Sequence, residues 1–190
     1  MSILMSLLIP SLASRSRYLS ELKAEIEKQR SRFENIEILV NLDEGQKTVG
    51  QKRNELLKMS KGTYVAFIDD DDFVSSDYLA EFTQALESSP DCIGFKGFIT
   101  TNGKNRKIFM MSKNFEYKED ENYYYRPINH LCPVKREIAL KIGYPEINCG
   151  EDYQYCMRLK RSGLLKEEVF IDKELYHYRF DTELTATQRR

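Results

Sequence analysis

The chain has 190 residues, 41% hydrophobic and 31% charged, with a formal net charge of -1 at pH 7. This is the make-up of an ordinary globular protein with enough chain for a substantial core. The balanced charge excludes a global attraction to nucleic acid or an anionic membrane, and no apolar run reaches membrane-spanning length.

The start, "MSILMSLLIPSLAS", lacks the basic segment of a secretion signal and reads as a buried strand ending at Pro10. "RSRYLSELKAEIEKQRSRF" follows, with Leu19, Leu22, Ile26 and Phe33 on one helical stripe. "IEILVN" predicts a second strand, ended by the polar loop "DEGQ". A helix is expected over about Lys47 to Met59, with Val49, Leu56 and Leu57 inward and Gly62 capping its exit. "YVAFI" is unbroken in its apolar character, as suits a parallel strand covered on both faces. "SSDYLAEFTQALESS" reads as the next helix, capped by Ser75 or Ser76 with Asp77 in its first turn. This strand–helix alternation predicts a parallel sheet.

The second half changes character. "DCIGFKGFITTNGKNRKIFMM" predicts a hairpin turning at Asn102-Gly103. The aromatic, polar stretch "SKNFEYKEDENYYYRPIN" has no period and predicts a mobile loop. Short helices are expected in "VKREIALKIGYP", stopped by Gly143, and in "EDYQYCMRLKRSG", stopped by Gly163. "EEVFIDKELYHYR" closes the chain as one or two strands, and "KNRK" with Lys113 forms a basic cluster at the hairpin tip. Cys92, Cys132, Cys149 and Cys156 show no zinc-site spacing, so buried thiols in a reducing, cytoplasmic setting are expected.

Four consecutive aspartates, Asp69 to Asp72, follow the third strand directly. Their mutual repulsion is costly wherever water is partly excluded. An open parallel sheet binds ligands beyond the carboxyl ends of its strands, and three polar clusters fall there: Pro10 to Arg15, Asp43 to Gln46, and the aspartates. Hard oxygen ligands suit Mg or Mn, ions that bridge carboxylates to phosphate oxygens. A metal-bound diphosphate is a good leaving group.

"LLIPSLASR", "ILVNLDEG", "GQKRNELLKMSKGTYVAFIDDDDFVSSDYL" and "GYPEINCGEDYQYCMRLKRSG" resemble, in order, the signature blocks of family 2 glycosyltransferases. The resemblance covers roughly residues 4 to 180. It implies an α/β GT-A fold: a mainly parallel, Rossmann-like sheet flanked by helices, with a smaller mixed part on the acceptor side. One such domain would span 1–190, the donor half about 1–90 and the acceptor half about 91–190. It also implies inverting, metal-dependent transfer of one sugar from a nucleoside diphosphate sugar, UDP-sugars being favoured, to a hydroxyl acceptor.

Residue by residue, the resemblance assigns Asp69 and Asp71 to the D-x-D motif and Asp72 to the aspartate that often follows it, with Asp70 the alternative within the run. Asp69 or Asp70 would contact the nucleotide; Asp71 and Asp72 would hold Mn or Mg. Pro10, Ser11 and Arg15 lie in the segment wrapping the base, Asp43 would bond the base, and Arg53 and Asn54 would lie beside the nucleotide. Lys52 replaces a usual small residue there, with phosphate or solvent as its destination. Asp152, preceded by Glu151, matches the general base that deprotonates the acceptor. His177 or Arg179 would contact the metal or diphosphate, and His130 would face the acceptor.

The acceptor is expected to be a saccharide or lipid-linked saccharide, with modified bases in phage-type DNA as a lesser alternative. A nucleotidyltransferase is disfavoured because "SLASRSR" holds Arg15 and Arg17 but no glycine. A non-catalytic nucleotide-sugar binding module is the remaining alternative.

Overall fold

β1 (Met5–Leu12) lies at the centre of the parallel part of the sheet, and every residue from Met5 to Ser11 is buried. The structure, a computed structural model, describes residues 2–181. β2 (Ile36–Asp43) and β3 (Tyr64–Phe67) flank β1 and run parallel to it, Met5 pairing with Ile36 on one side and Tyr64 on the other. Parallel strands need crossovers, supplied here by α1 (Ser16–Arg30) and α2 (Val49–Met59). α1 buries Leu19, Leu22 and Ile26 as its sequence stripe requires.

α2 begins at Val49 because Thr48 closes a capping box with Gln51: the Gln51 amide donates to Thr48 Oγ1, and the Thr48 amide to Gln51 Oε1. Its exit is not capped by Gly62, as expected from sequence; Ser60 ends the helix in an extended conformation. Gly62 is required for another reason. A Cβ there would lie 2.6 Å from the backbone nitrogen of Ser6.

β4 (Phe73–Val74) and α3 (Tyr78–Leu86) follow the aspartates. The expected serine cap is absent. Asp77 takes the cap position, accepting from Ser75 Oγ and pairing with Lys173. β5 (Cys92–Thr101) and β6 (Lys104–Met111) form the predicted hairpin, with positive φ at both Asn102 (49°) and Gly103 (72°). The stretch expected to be a loop instead contains β7 (Lys118–Glu119) and β8 (Tyr123–Arg126), the latter parallel to β6. β9 (Val134–Lys135) runs antiparallel to β3 and joins the two halves of the sheet through Cys92 of β5.

α4 (Arg136–Ile142) and α5 (Glu151–Ser162) stop at Gly143 and Gly163, both at positive φ. β10 (Glu168–Phe180) closes the fold as one strand, parallel to β5 and antiparallel to β4. The sheet order β2-β1-β3-β9-β5-β6-β8-β7, with β10 bridging β4 and β5, gives a mixed sheet flanked by helices. Of the basic cluster foreseen at the hairpin tip, Lys104, Arg106 and Lys107 open β6 beside the turn, while Lys113 lies past its far end. Among the described residues no helix is long and apolar enough to cross a membrane.

Gly50 fixes how α2 meets the chain leading into α5. A Cβ at this position would stand 1.8 Å from the Pro145 carbonyl oxygen, and the Gly50 amide donates to Ile147 O at 3.1 Å. Gly50→Ala is therefore expected to cost about 1–3 kcal/mol by overpacking. Thermal unfolding checks this, and an unchanged midpoint would refute the close contact.

Candidate active site

Four elements converge on the aspartates. β1 delivers Pro10, Ser11 and, through a short 3-10 turn, Arg15; α2 delivers Lys52 and Arg53; the turn after β3 carries the acids; and the 148–152 segment enters α5. Together they line a cavity of about 220 Å³. Arg15 reaches across it.

The four carboxylates separate by environment. Asp72 turns into the core, where Oδ2 accepts from the Tyr176 hydroxyl at 2.7 Å and Oδ1 from the Arg179 amide at 2.8 Å. Burial, with Asp69 and Asp71 adding, pushes its carboxyl well up. Asp70 is also buried and accepts from Ser11 Oγ at 2.6 Å and Arg15 Nη1 at 2.9 Å. Asp69 bonds Arg53 Nη2 at 2.8 Å and lies 3.3 Å from His130 Nε2. Burial alone would raise the Asp69 carboxyl, but Arg53 and His130 more than offset it and hold it well below the usual carboxylate range. Asp71 is pushed up to about 6 by burial, with Arg15 opposing and Asp69 and Asp70 reinforcing.

Asp70 Oδ1 and Asp71 Oδ2 converge on one nitrogen, Arg15 Nη1, at 2.9 and 3.0 Å. Two carboxylate oxygens aimed at a common positive centre are the donor chemistry a hard divalent cation uses. Among the described residues no group of three His, Cys, Asp or Glu side chains forms a metal cage. Asp70 and Asp71 would therefore offer a divalent ion one pair of carboxylates, leaving its other ligands to phosphate oxygens and water. Asp72, expected to be a ligand, has both oxygens committed to the fold.

His177 corrects a second expectation. Strand alternation puts it on the face opposite Tyr176 and Tyr178, where its ring stacks on Phe98 at 4.3 Å and Nε2 lies 2.8 Å from Thr100 Oγ1. It is among the lining residues of neither cavity described here. Arg179, the alternative, lies near the acids but binds the chain itself, its Nε donating to the Asp71 carbonyl at 2.5 Å.

Lys52 is buried in the wall of the smaller cavity: its ammonium pairs with Asp43 and donates to the Ser11 carbonyl at 2.7 Å. Asp43 is held further by the Gly45 and Lys47 amides, so it shapes the loop after β2. Asn54 is one helical step past the cavity and bonds both backbone groups of Tyr144. Its role is to fasten the exit of α4, in place of the expected nucleotide contact.

Glu151 and Asp152, adjacent in sequence, have different surroundings. Glu151 is buried and lies 3.4 Å from Arg53 Nε. Burial raises its carboxyl, against the pull of Arg53. Asp152 is half-buried, with Oδ1 accepting from the Tyr153 amide at 2.7 Å. A second cavity of about 660 Å³ lies beyond it, lined among others by Phe109, Tyr117, Tyr124, Arg126 and Phe180. Asp69, His130, Asp152 and Tyr178 border both cavities. His130 thus stands at the junction. Tyr178 escaped sequence reasoning, although alternation in "YHYRF" puts Tyr176, Tyr178 and Phe180 on one face. Arg126 and its tyrosines escaped it too, because their stretch has no periodic signal.

Comparison with known proteins gives concordant results. The model of glycosyl transferase family 2 matches residues 18–140, which ends before α5. An uncharacterized glycosyltransferase of Methanocaldococcus jannaschii is 28% identical over 116 residues, 57% of this chain and 40% of that protein. The chain thus spans less than half the length of this curated relative. S. aureus TarS 1-349 in complex with UDP-GlcNAc superposes with a TM-score of 0.64 at 17% identity, covering 93% of this chain and 58% of TarS 1-349. A197 from STIV superposes at 0.51 with 14% identity, over 90% of this chain and 82% of A197. Likeness at these identities establishes the GT-A type fold. The family match spans well over half of the 190 residues, and the chain accordingly belongs to glycosyl transferase family 2.

Proposed function

We propose that this chain transfers a single sugar, with inversion, from a nucleoside diphosphate donor to an acceptor hydroxyl, a UDP-sugar being the favoured donor. The observation that carries the reading is the meeting of two cavities at Asp69, His130, Asp152 and Tyr178. The smaller one takes the donor diphosphate; the larger one takes the acceptor.

The donor side works through placed charge. Arg15 holds the place of a cation between Asp70 and Asp71 and exchanges these carboxylates for pyrophosphate oxygens when the donor enters. Arg53 keeps Asp69 ionised and oriented toward the nucleotide. A divalent ion, manganese or magnesium, held by Asp71 with Asp70 would supply positive charge to the departing diphosphate. On the acceptor side, Asp152 Oδ2 makes no hydrogen bond among the described residues and takes the hydroxyl proton as the oxygen attacks the anomeric carbon. Inversion requires that the hydroxyl deprotonated by Asp152 attack the anomeric carbon from the face opposite the departing diphosphate. Cys92, Cys132 and Cys156 are buried thiols, in keeping with a reducing, cytoplasmic setting.

The reading is tested by calorimetric titration of UDP with and without Mn. Asp71→Ala is expected to abolish the metal-dependent part of binding; unchanged affinity would remove Asp71 from the metal site. A pH dependence follows. The folded-state pKa of Asp71, about 6, lies above its ordinary value, so its ionisation costs stability as pH rises through 6. A bound cation removes that cost. Mn with UDP should therefore raise the unfolding midpoint more at about pH 7.5 than at about pH 5. An equal rise at both would count against the site.

A further inference from the structure

Arg126 ends β8 with its side chain in the larger cavity, and among the described lining residues it is the sole lysine or arginine. Strand alternation separates the tyrosines beside it. Tyr124 and Arg126 face the cavity, while Tyr125 packs edge-on against Phe115 on the other face. The guanidinium is held between two rings, 4.8 Å from the Tyr124 centroid and 5.3 Å from that of Tyr117. Its Nη1 donates to the Tyr125 and Lys118 carbonyls at 2.8 and 3.1 Å, which fixes the plane of the group. Nε and Nη2 make no hydrogen bond to the described residues.

Two carboxylates on the chain leading into β8 are committed elsewhere, while Asp69, Asp72 and Asp152 line the same cavity without an ion pair to Arg126. Glu116 pairs with Lys160, and Asp120 accepts from the Asn122 and Tyr123 amides and the Tyr125 hydroxyl. None of the ion pairs among the described residues includes Arg126. A guanidinium oriented at one edge, with its other nitrogens left for a ligand, is matched to an oxyanion. Around it lies an aromatic rim: Tyr117 and Tyr153 are 42% and 51% exposed, with ring centroids 5.3 Å apart. The negative faces of such rings pack against the weakly positive C–H faces of a sugar. A cavity of about 660 Å³ lies within the ~300–1,000 Å³ usual for small-ligand sites.

We propose that the acceptor is a saccharide bearing an anionic group, phosphate or carboxylate, with the anion on Arg126 and the sugar ring against the cavity tyrosines. The proposal rests on the transfer reading and names its acceptor class. It also gives the acceptor a fixed register, since Arg126 and Asp152 line the same cavity and hold the anion and the reacting hydroxyl apart.

The test is a ligand-observed NMR titration of the full chain with glucose, glucuronate and glucose 6-phosphate. Both anionic sugars should bind about tenfold or more tighter than glucose, and the tighter of the two identifies carboxylate or phosphate as the natural group. Arg126→Gln should bring the three affinities together without weakening glucose, and Arg126→Lys, which keeps the charge but not the fork, should restore only part of the difference. Equal affinities in the unmodified protein overturn the proposal whether or not the variants fold. A preference that persists in folded Arg126→Gln also overturns it. Titrating UDP into the same samples reads the other cavity. Normal UDP binding without an anion preference sinks the Arg126 assignment alone, whereas absent UDP binding sinks the transfer reading beneath it.

Discussion

Asp152→Asn is expected to lower sugar transfer by roughly 10²–10⁴-fold, the usual worth of a positioned general base, while donor affinity stays within about threefold. Asparagine keeps the shape of the side chain and the hydrogen bond that Oδ1 accepts from the Tyr153 amide, but it cannot take a proton. The half-buried carboxylate borders both cavities, where acceptor and donor would meet. Steady-state transfer assays paired with calorimetry of UDP separate the two effects. Full activity would remove Asp152 from the base role. Glu151, one residue earlier, gives the contrast: it is buried against Arg53, so Glu151→Gln should act mainly on stability.

The second large effect falls on stability itself. Arg53 is 3% exposed, bonds Asp69, approaches Glu151, and lies over the Phe67 and Tyr144 rings at 5.0 and 5.8 Å. Removing one member of a buried ion pair strands the other, at about 3–5 kcal/mol. Arg53→Met should therefore lower the unfolding midpoint by about 10 °C in a chain of this length.

The sign of its pH dependence is a sharper check. With Arg53 present, Asp69 sits below its ordinary pKa and stabilises the fold above pH 4, a contribution lost as pH falls further. Without Arg53, Glu151, whose carboxyl burial already raises, loses the charge that opposes that rise, so its protonation relieves the variant. The penalty of Arg53→Met should thus shrink between about pH 7 and pH 5. A penalty independent of pH, or below about 1 kcal/mol, would show that the pair contributes little.

Apolar runs and helical periodicity located β1, α1, β2 and β3, and turn residues located the hairpin at Asn102-Gly103 and the stops at Gly143 and Gly163, because buried faces and left-handed turns impose local residue requirements. The short strands β4, β7, β8 and β9 left no such trace. Two to four residues carry little pattern, and partners distant in sequence hold them in place. The same division runs through the site. The acidic run and the Glu151-Asp152 pair were legible because charge placed where a buried strand ends or a helix begins is conspicuous.

Which aspartate faces ligand and which faces core was not legible. Asp72 accepts from Tyr176 and Arg179, more than a hundred residues away, and Asp70 accepts from Ser11 and Arg15. His177 was misplaced for the same reason, since its strand partner Phe98 selected its face. Residue type and local spacing thus determined the parallel strands and the list of candidate acids, and the resemblance of whole sequence blocks pointed to the family. Only tertiary contact decided which carboxylates are spent on the fold, because hydrogen-bond partners far along the chain determine whether a buried charge is satisfied or left for a ligand.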